Sequence, residues 1–205
     1  MKLILISSPV AIADEPTLIN ELFAAGLEIF HLRKPAVPAA EVEKLLARIK
    51  PVYYPRIALH QHHNLAEPFG INRLHFPEQE QQQQPASAWS GLRAAGYTLS
   101  TSVHQPKTLK KLPPVFSYVF LSPVFTSISK PGYTSVLAGN FYLPEEEKNN
   151  PVIALGGITQ THIRQVREMN FDGAAVLGAI WQKPESAVAN FKTIQEACSQ
   201  TALTC

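Results

Sequence analysis

Apolar residues along the chain gather in eight short, dense runs, separated by polar segments with a different rhythm. The runs are LILIS (3–7), EIFHLR (28–33), RIALHQ (56–61), RLHF (73–76), TLSTSVH (98–104), YVFLSPVF (118–125), VIALGG (152–157) and GAAVLGAI (173–180). Each is rich in aliphatic or aromatic residues and is bounded by Gly, Pro or polar positions. Continuous runs of this length predict strands buried on both faces, as in a parallel sheet.

The segments between them carry a helical period. Leu18, Leu22 and Ala25 stand out within 17–25, and Val42, Leu45, Leu46 and Ile49 within 40–49. Ile163, Val166 and Met169 do the same within 161–169, and Val188, Phe191, Ile194 and Ala197 within 186–197. This spacing predicts helices with one apolar stripe turned towards a sheet. Pro38, Pro106 and Pro184 stand near the expected helix starts, where a missing N–H costs little. Strand–helix alternation needs crossover connections and hence parallel pairing. Eight βα repeats of about 26 residues each predict one α/β domain over residues 1–205, a closed (β/α)8 TIM barrel. A flavodoxin-like sheet of five strands would leave three strong runs without a role. The third and fourth repeats are the weakest. HNLAEPFGI (63–71) is broken by Pro68, and the Gln-rich PEQEQQQQPASAWSG (77–91) reads as a solvated loop or degraded helix without chemistry of its own.

Composition narrows the classes. The chain has 205 residues, 45% of them hydrophobic and 17% charged, with a net charge of +2. So low a charge, with this much apolar surface, excludes a disordered chain. The scattered Lys and Arg give no basic footprint for nucleic acid, so a phosphorylated ligand has to be held by local groups. The apolar start at 3–6 ends in Ser7-Ser8-Pro9, too short for a signal segment, and no run approaches the ~20 residues of a membrane span. A cytoplasmic protein with no membrane partner is expected, its two cysteines, Cys198 and Cys205, reduced surface thiols. The exposed face of the helix over 187–197 leaves a homodimer open.

A barrel of this kind carries its site where the strands end. Those ends hold His31, Arg33 and Lys34; His60, Gln61, His62 and His63; His75; Ser102 and His104; and, beyond the sixth run, Ser127, Ser129 and Lys130. Six of the seven histidines therefore fall on one rim. Gly156-Gly157 and Gly178-Ala179 end the last two strands, where barrels often hold a phosphate on backbone amides, although the same glycines would serve as tight turns. Arg33 ends a buried strand, so its guanidinium needs an anionic ligand or a carboxylate partner. His60 and His62 share strand parity and suit a metal, but no nearby Cys or Asp completes the set; acid–base work is the alternative use of a rim histidine.

The motifs HLRKP, RLHFPE, STSVH, YVFLSPVFTSISKPGY, PVIALGGIT and GAAVLGAI, spread over almost the whole chain, resemble those of the thiamine phosphate synthase family and its thiazole tautomerase branch. The resemblance implies a (β/α)8 barrel and a transferase of thiamine biosynthesis. That reaction joins hydroxymethylpyrimidine diphosphate to thiazole phosphate, releasing diphosphate with the help of Mg²⁺. Carried over by position, Arg33, Lys130 and Ser102 are catalytic. His31, His60, Ser127, Ser129, Gly156, Gly157, Gly178 and Ala179 bind the small phosphorylated heterocycles. The family's metal acids fall on Gln61 and near Glu80, its first-motif Lys on Pro35, one place after Lys34, and the leading Gln on His31. The tautomerase branch places its acid–base His at Pro123, so isomerase chemistry here would need His31 or His104. A non-catalytic barrel binding thiamine phosphate or its precursors is the third expectation.

Overall fold

Parallel strands of three to six residues satisfy both edges only by closing on themselves, and these strands do so. The computed structural model describes residues 1–126, 137 and 140–200. Its strands are β1 (Lys2–Ile6), β2 (Ile29–Leu32), β3 (Ile57–Leu59), β4 (Arg73–Phe76), β5 (Thr98–Val103), β6 (Tyr118–Leu121), β7 (Val152–Leu155) and β8 (Gly173–Val176). They pair in parallel and in sequence order, and β8 returns to β1 with Lys2 opposite Gly173. All eight apolar runs thus become barrel strands, all but β4 ending a little before the run does.

The helices follow the stripes. They are α1 (Glu15–Ala24), α2 (Ala39–Ala47), α3 (Glu78–Gln83), α4 (Ala86–Ala94), α5 (Ile163–Glu168), α6 (Gly178–Trp181) and α7 (Ala187–Ser199). Pro38 is the N-cap of α2, while Pro106 and Pro184 open short 3-10 segments, Pro106–Lys111 and Pro184–Ser186. Between β3 and β4 there is only the 3-10 turn His63–Leu65, in line with the break at Pro68. The Gln-rich stretch corrects the loop reading: it forms α3 and α4. Trp89 anchors it, buried with its ring 4.9 Å from Phe76 and 5.5 Å from Phe116. One aromatic cannot make an apolar stripe, which is why the pattern reads as solvated. Cys198 is also corrected: it is buried in α7, and burial pushes its thiol up. Cys205 lies outside the described residues.

Two cores result. Outward-facing residues such as Leu5, Phe30, Leu59 and Leu121 pack under the helices. Ile4, Ile6, Ile29, Tyr118, Phe120, Ile153 and Ala175 point inward and fill one sector of the barrel. The remaining sector, from β2 to β5, is polar: His31, His60, His75 and Ser100 are all buried.

The turn after β2 is tied to α1 by a buried ion pair. Lys34 Nζ donates to both Glu15 carboxylate oxygens, at 2.8 and 2.7 Å, and to the Val10 carbonyl at 3.2 Å. Burial raises the Glu15 carboxyl above its ordinary value in spite of Lys34, so the pair does not fully offset its own desolvation. Two substitutions separate these effects. Glu15→Gln leaves Lys34 buried without a counter-charge and is expected to cost about 3–5 kcal/mol. Glu15→Leu combined with Lys34→Met is expected to recover most of that loss. Urea unfolding midpoints of the three proteins check both.

Candidate active site

Strand alternation stacks the site in two levels. On β2, Ile29, His31 and Arg33 share one face, which carries Arg33 to the mouth of the barrel directly above His31. On β5, Ser100 lies inside and Ser102 stands one level higher. Ser7, fully buried at the end of β1, fixes the end of β2: its hydroxyl accepts from the Arg33 N–H at 2.8 Å and donates to the Arg33 carbonyl at 3.0 Å. Trp181 Nε1 donates to the Ile6 carbonyl at 2.7 Å, docking α6 and Gly178 against the same strand end.

The mouth encloses a cavity of about 330 Å³. Seven residues named from the sequence line it: Arg33, His60, Ser102, Gly156, Gly157, Gly178 and Ala179. His75, His104 and Ser122 add polar groups, and Ile6, Phe120, Leu155 and Leu177 supply an apolar wall. Ser127, Ser129 and Lys130 lie outside the described residues. The guanidinium of Arg33 has no carboxylate partner among the described residues, so the intramolecular ion pair that would have explained it there is missing. The two glycines after β7 also serve packing. Gly156 and Gly157 have φ of 102° and 67°, and a Cβ on Gly157 would stand 2.6 Å from the Thr126 carbonyl. The loop after β6 therefore rides on bare backbone.

Below the mouth, three rim histidines turn out to be interior. His31 Nδ1 lies 2.8 Å from His60 Nε2, and His31 Nε2 lies 2.7 Å from the Tyr118 hydroxyl. His75 Nδ1 lies 3.0 Å from Ser100 Oγ, and its ring stacks on His60 at 4.0 Å. A neutral imidazole has one donor and one acceptor, so Tyr118, His31 and His60 form an unbroken chain in either tautomer. Burial holds His31 and His60 well below the ordinary imidazole value, helped by neighbouring positive charge from Arg73 or Arg33. Burial and the charges of His63 and Arg33 push His75 down to about 3, and burial pushes the Tyr118 phenol up to about 12. The floor of the cavity is thus neutral.

The other histidines separate. His62, with φ 55°, donates to the Val37 carbonyl at 2.8 Å and does not join His60. His63 donates to the Leu59 carbonyl at 3.1 Å, and His104 pairs with Glu78. Sequence reasoning missed His75, Ser100 and Tyr118 as one unit. The signal was cross-strand register: Ser100 sits opposite both His75 and Tyr118.

The donor set does not fit Mg²⁺. No carboxylate lines the cavity among the described residues. Gln61 Oε1 accepts the Lys34 N–H at 2.9 Å and stands outside the lining, and Glu80 is exposed on α3. The nitrogens of His31, His60 and His75 come within 4.8 Å of one another. Yet the His60 and His75 ring planes lie only 25° apart, so their in-plane lone pairs do not meet at one point. Arg33 and Arg73 add positive charge to a cluster with no acid.

A closed eight-stranded parallel barrel with its cavity at the strand C-termini is an enzyme-type (β/α)8 barrel. The sequence profile described as "Thiamine monophosphate synthase" matches residues 3–180, and the chain belongs to that family, one of transferases of thiamine biosynthesis. The thiamine-phosphate synthase of Anoxybacillus flavithermus is 28% identical over 177 residues, covering 82% of this chain and 79% of that protein. That of Listeria monocytogenes is 25% identical over 185 residues, covering 83% of each. Among solved structures, the thiamine phosphate pyrophosphorylase of Bacteroides thetaiotaomicron superposes with a TM-score of 0.73 at 29% identity, covering 96% of this chain and 97% of that one.

The buried imidazoles predict a pH dependence with a definite sign. Their folded pKa values lie below the unfolded value of 6.5, so below about 6.5, and for His75 down to about 3, the unfolded chain binds protons that the folded chain does not. Stability is complete above pH 6.5 and falls as the pH drops, by up to about 1.4 kcal/mol per pH unit for each histidine. Urea midpoints at stepped pH measure this slope, and His75→Gln is expected to lower it by one histidine's share.

Proposed function

We propose that this chain joins hydroxymethylpyrimidine diphosphate to thiazole phosphate and releases diphosphate. The observation that carries the reading is Arg33. Its guanidinium has no carboxylate partner among the described residues, and Ser7 holds its backbone at the rim of a cavity edged by Gly156-Gly157 and Gly178-Ala179.

In this reaction the bond from the pyrimidine methylene carbon to the diphosphate oxygen breaks, and the electron pair leaves with the diphosphate. The thiazole nitrogen then gives its lone pair to the methylene carbon. No proton has to move; what lowers the barrier is neutralising the charge that grows on the leaving group. Arg33 is suited to that by geometry, and Lys130 by the family resemblance. Ser102 offers a hydroxyl to the substrates, and the amides of Gly157 and Gly178 offer donors to the thiazole phosphate. The wall of Ile6, Phe120, Leu155 and Leu177 excludes water from a cationic intermediate. A cavity of about 330 Å³ lies within the range of small-molecule sites.

Purified protein incubated with both substrates is expected to yield thiamine phosphate, followed as its fluorescent oxidation product. Arg33→Ala and Lys130→Ala are each expected to lower kcat/KM by about 100-fold or more, the scale of losing one charge-stabilising donor. No product above background from a protein that still binds thiazole phosphate would overturn the proposal.

A further inference from the structure

Among the described residues, the polar lining of the cavity is Arg33, Ser102, Ser122 and three imidazoles, with no carboxylate. The acids nearest to it are engaged or turned away. Glu15 is bound to Lys34, Glu78 to His104, and Glu80 faces outward. The sequence of 127–139 contains no Asp or Glu. A hard divalent cation takes oxygen ligands, usually carboxylates, and the described side chains lining this cavity offer hydroxyls, imidazoles and a guanidinium instead. Its local field is positive, with Arg33 acting on His60 and His75. A dication placed there would meet repulsion without ligands, whereas an anion would meet donors on several sides.

We propose that the cavity takes its diphosphate-bearing ligand as the free anion, with Arg33 and the neutral imidazoles of His60 and His75 standing where a divalent cation and its carboxylates would otherwise be needed. The proposal rests on the phosphate-binding reading above and goes beyond it in naming the ionic form that is bound. His60 and His75 both line the cavity, and each keeps one ring nitrogen outside its bond to His31 or Ser100, so a neutral N–H there can donate to a diphosphate oxygen without the repulsion a carboxylate would bring. The chain Tyr118–His31–His60 supplies or accepts the proton that sets the His60 tautomer, so donation to the anion needs no ionisation.

Titration of the full chain with inorganic pyrophosphate, by calorimetry, tests this in EDTA and again in excess Mg²⁺. Binding in EDTA at least as tight as in Mg²⁺ is the expected result. Arg33→Ala should weaken the EDTA binding by about tenfold or more, the loss of one charge-assisted contact. His60→Asp should also weaken it, and Mg²⁺ should then restore affinity that the wild-type cavity has without it. Wild-type binding tenfold or more weaker in EDTA than in Mg²⁺ would overturn the inference and leave the phosphate reading standing. Binding in neither buffer would remove both, and EDTA affinity unchanged by His60→Asp would remove that histidine from the anion's contacts.

Discussion

Every second side chain of a closed barrel has to enter a space with no water and no edge, and here that space receives three imidazoles. Burying them charged would be prohibitive, so they are neutral, and neutral imidazoles need one donor and one acceptor each. The Tyr118 hydroxyl, Ser100 and the rings themselves meet that demand. The requirement fixes the inward register of β2 through β6. The same register raises Arg33 and Ser102 to the mouth, because each stands two residues beyond a buried polar partner on its own strand.

Function follows from how charge is layered along the barrel axis. The floor is neutral and hydrogen-bonded, the wall opposite is apolar, and the mouth carries a guanidinium fixed at its backbone by Ser7. The glycine turns after β7 and β8 edge the same mouth without adding charge, in a chain whose net charge is only +2. Lys34, next to Arg33 in sequence, is spent on structure: its buried pair with Glu15 holds the turn after β2 against α1. Neighbouring cations therefore do different work, and strand parity decides which faces the cavity.

Much of this was legible in the sequence. Eight apolar runs and four helical stripes gave the barrel because a parallel strand is apolar on both faces and a covering helix on one. Arg33, Ser102 and the glycine pairs could be placed because strand ends are also site positions. Two things resisted. The Gln-rich stretch folds as α3 and α4 around one buried indole, and a single Trp89 leaves no periodicity to read. The histidines were visible as a rim cluster, but which of them turn inward depends on register between strands far apart in sequence. His31, His60 and His75 share the interior only because β2, β3 and β4 are neighbours, while His62, two residues past His60, leaves the strand at a left-handed turn. The positions that the resemblance assigns to metal acids stand apart from the cavity lining: Gln61 Oε1 accepts the Lys34 N–H, and Glu80 is exposed on α3.

The central claim is that the barrel interior beneath the cavity is a neutral imidazole network. Nitrogen-15 NMR of the protein labelled at its histidine rings reads protonation and tautomer directly. The account predicts neutral-ring shifts for His31, His60 and His75 that persist down to about pH 5, with the proton on one nitrogen of each ring. Imidazolium shifts for any of the three at pH 7 would contradict it.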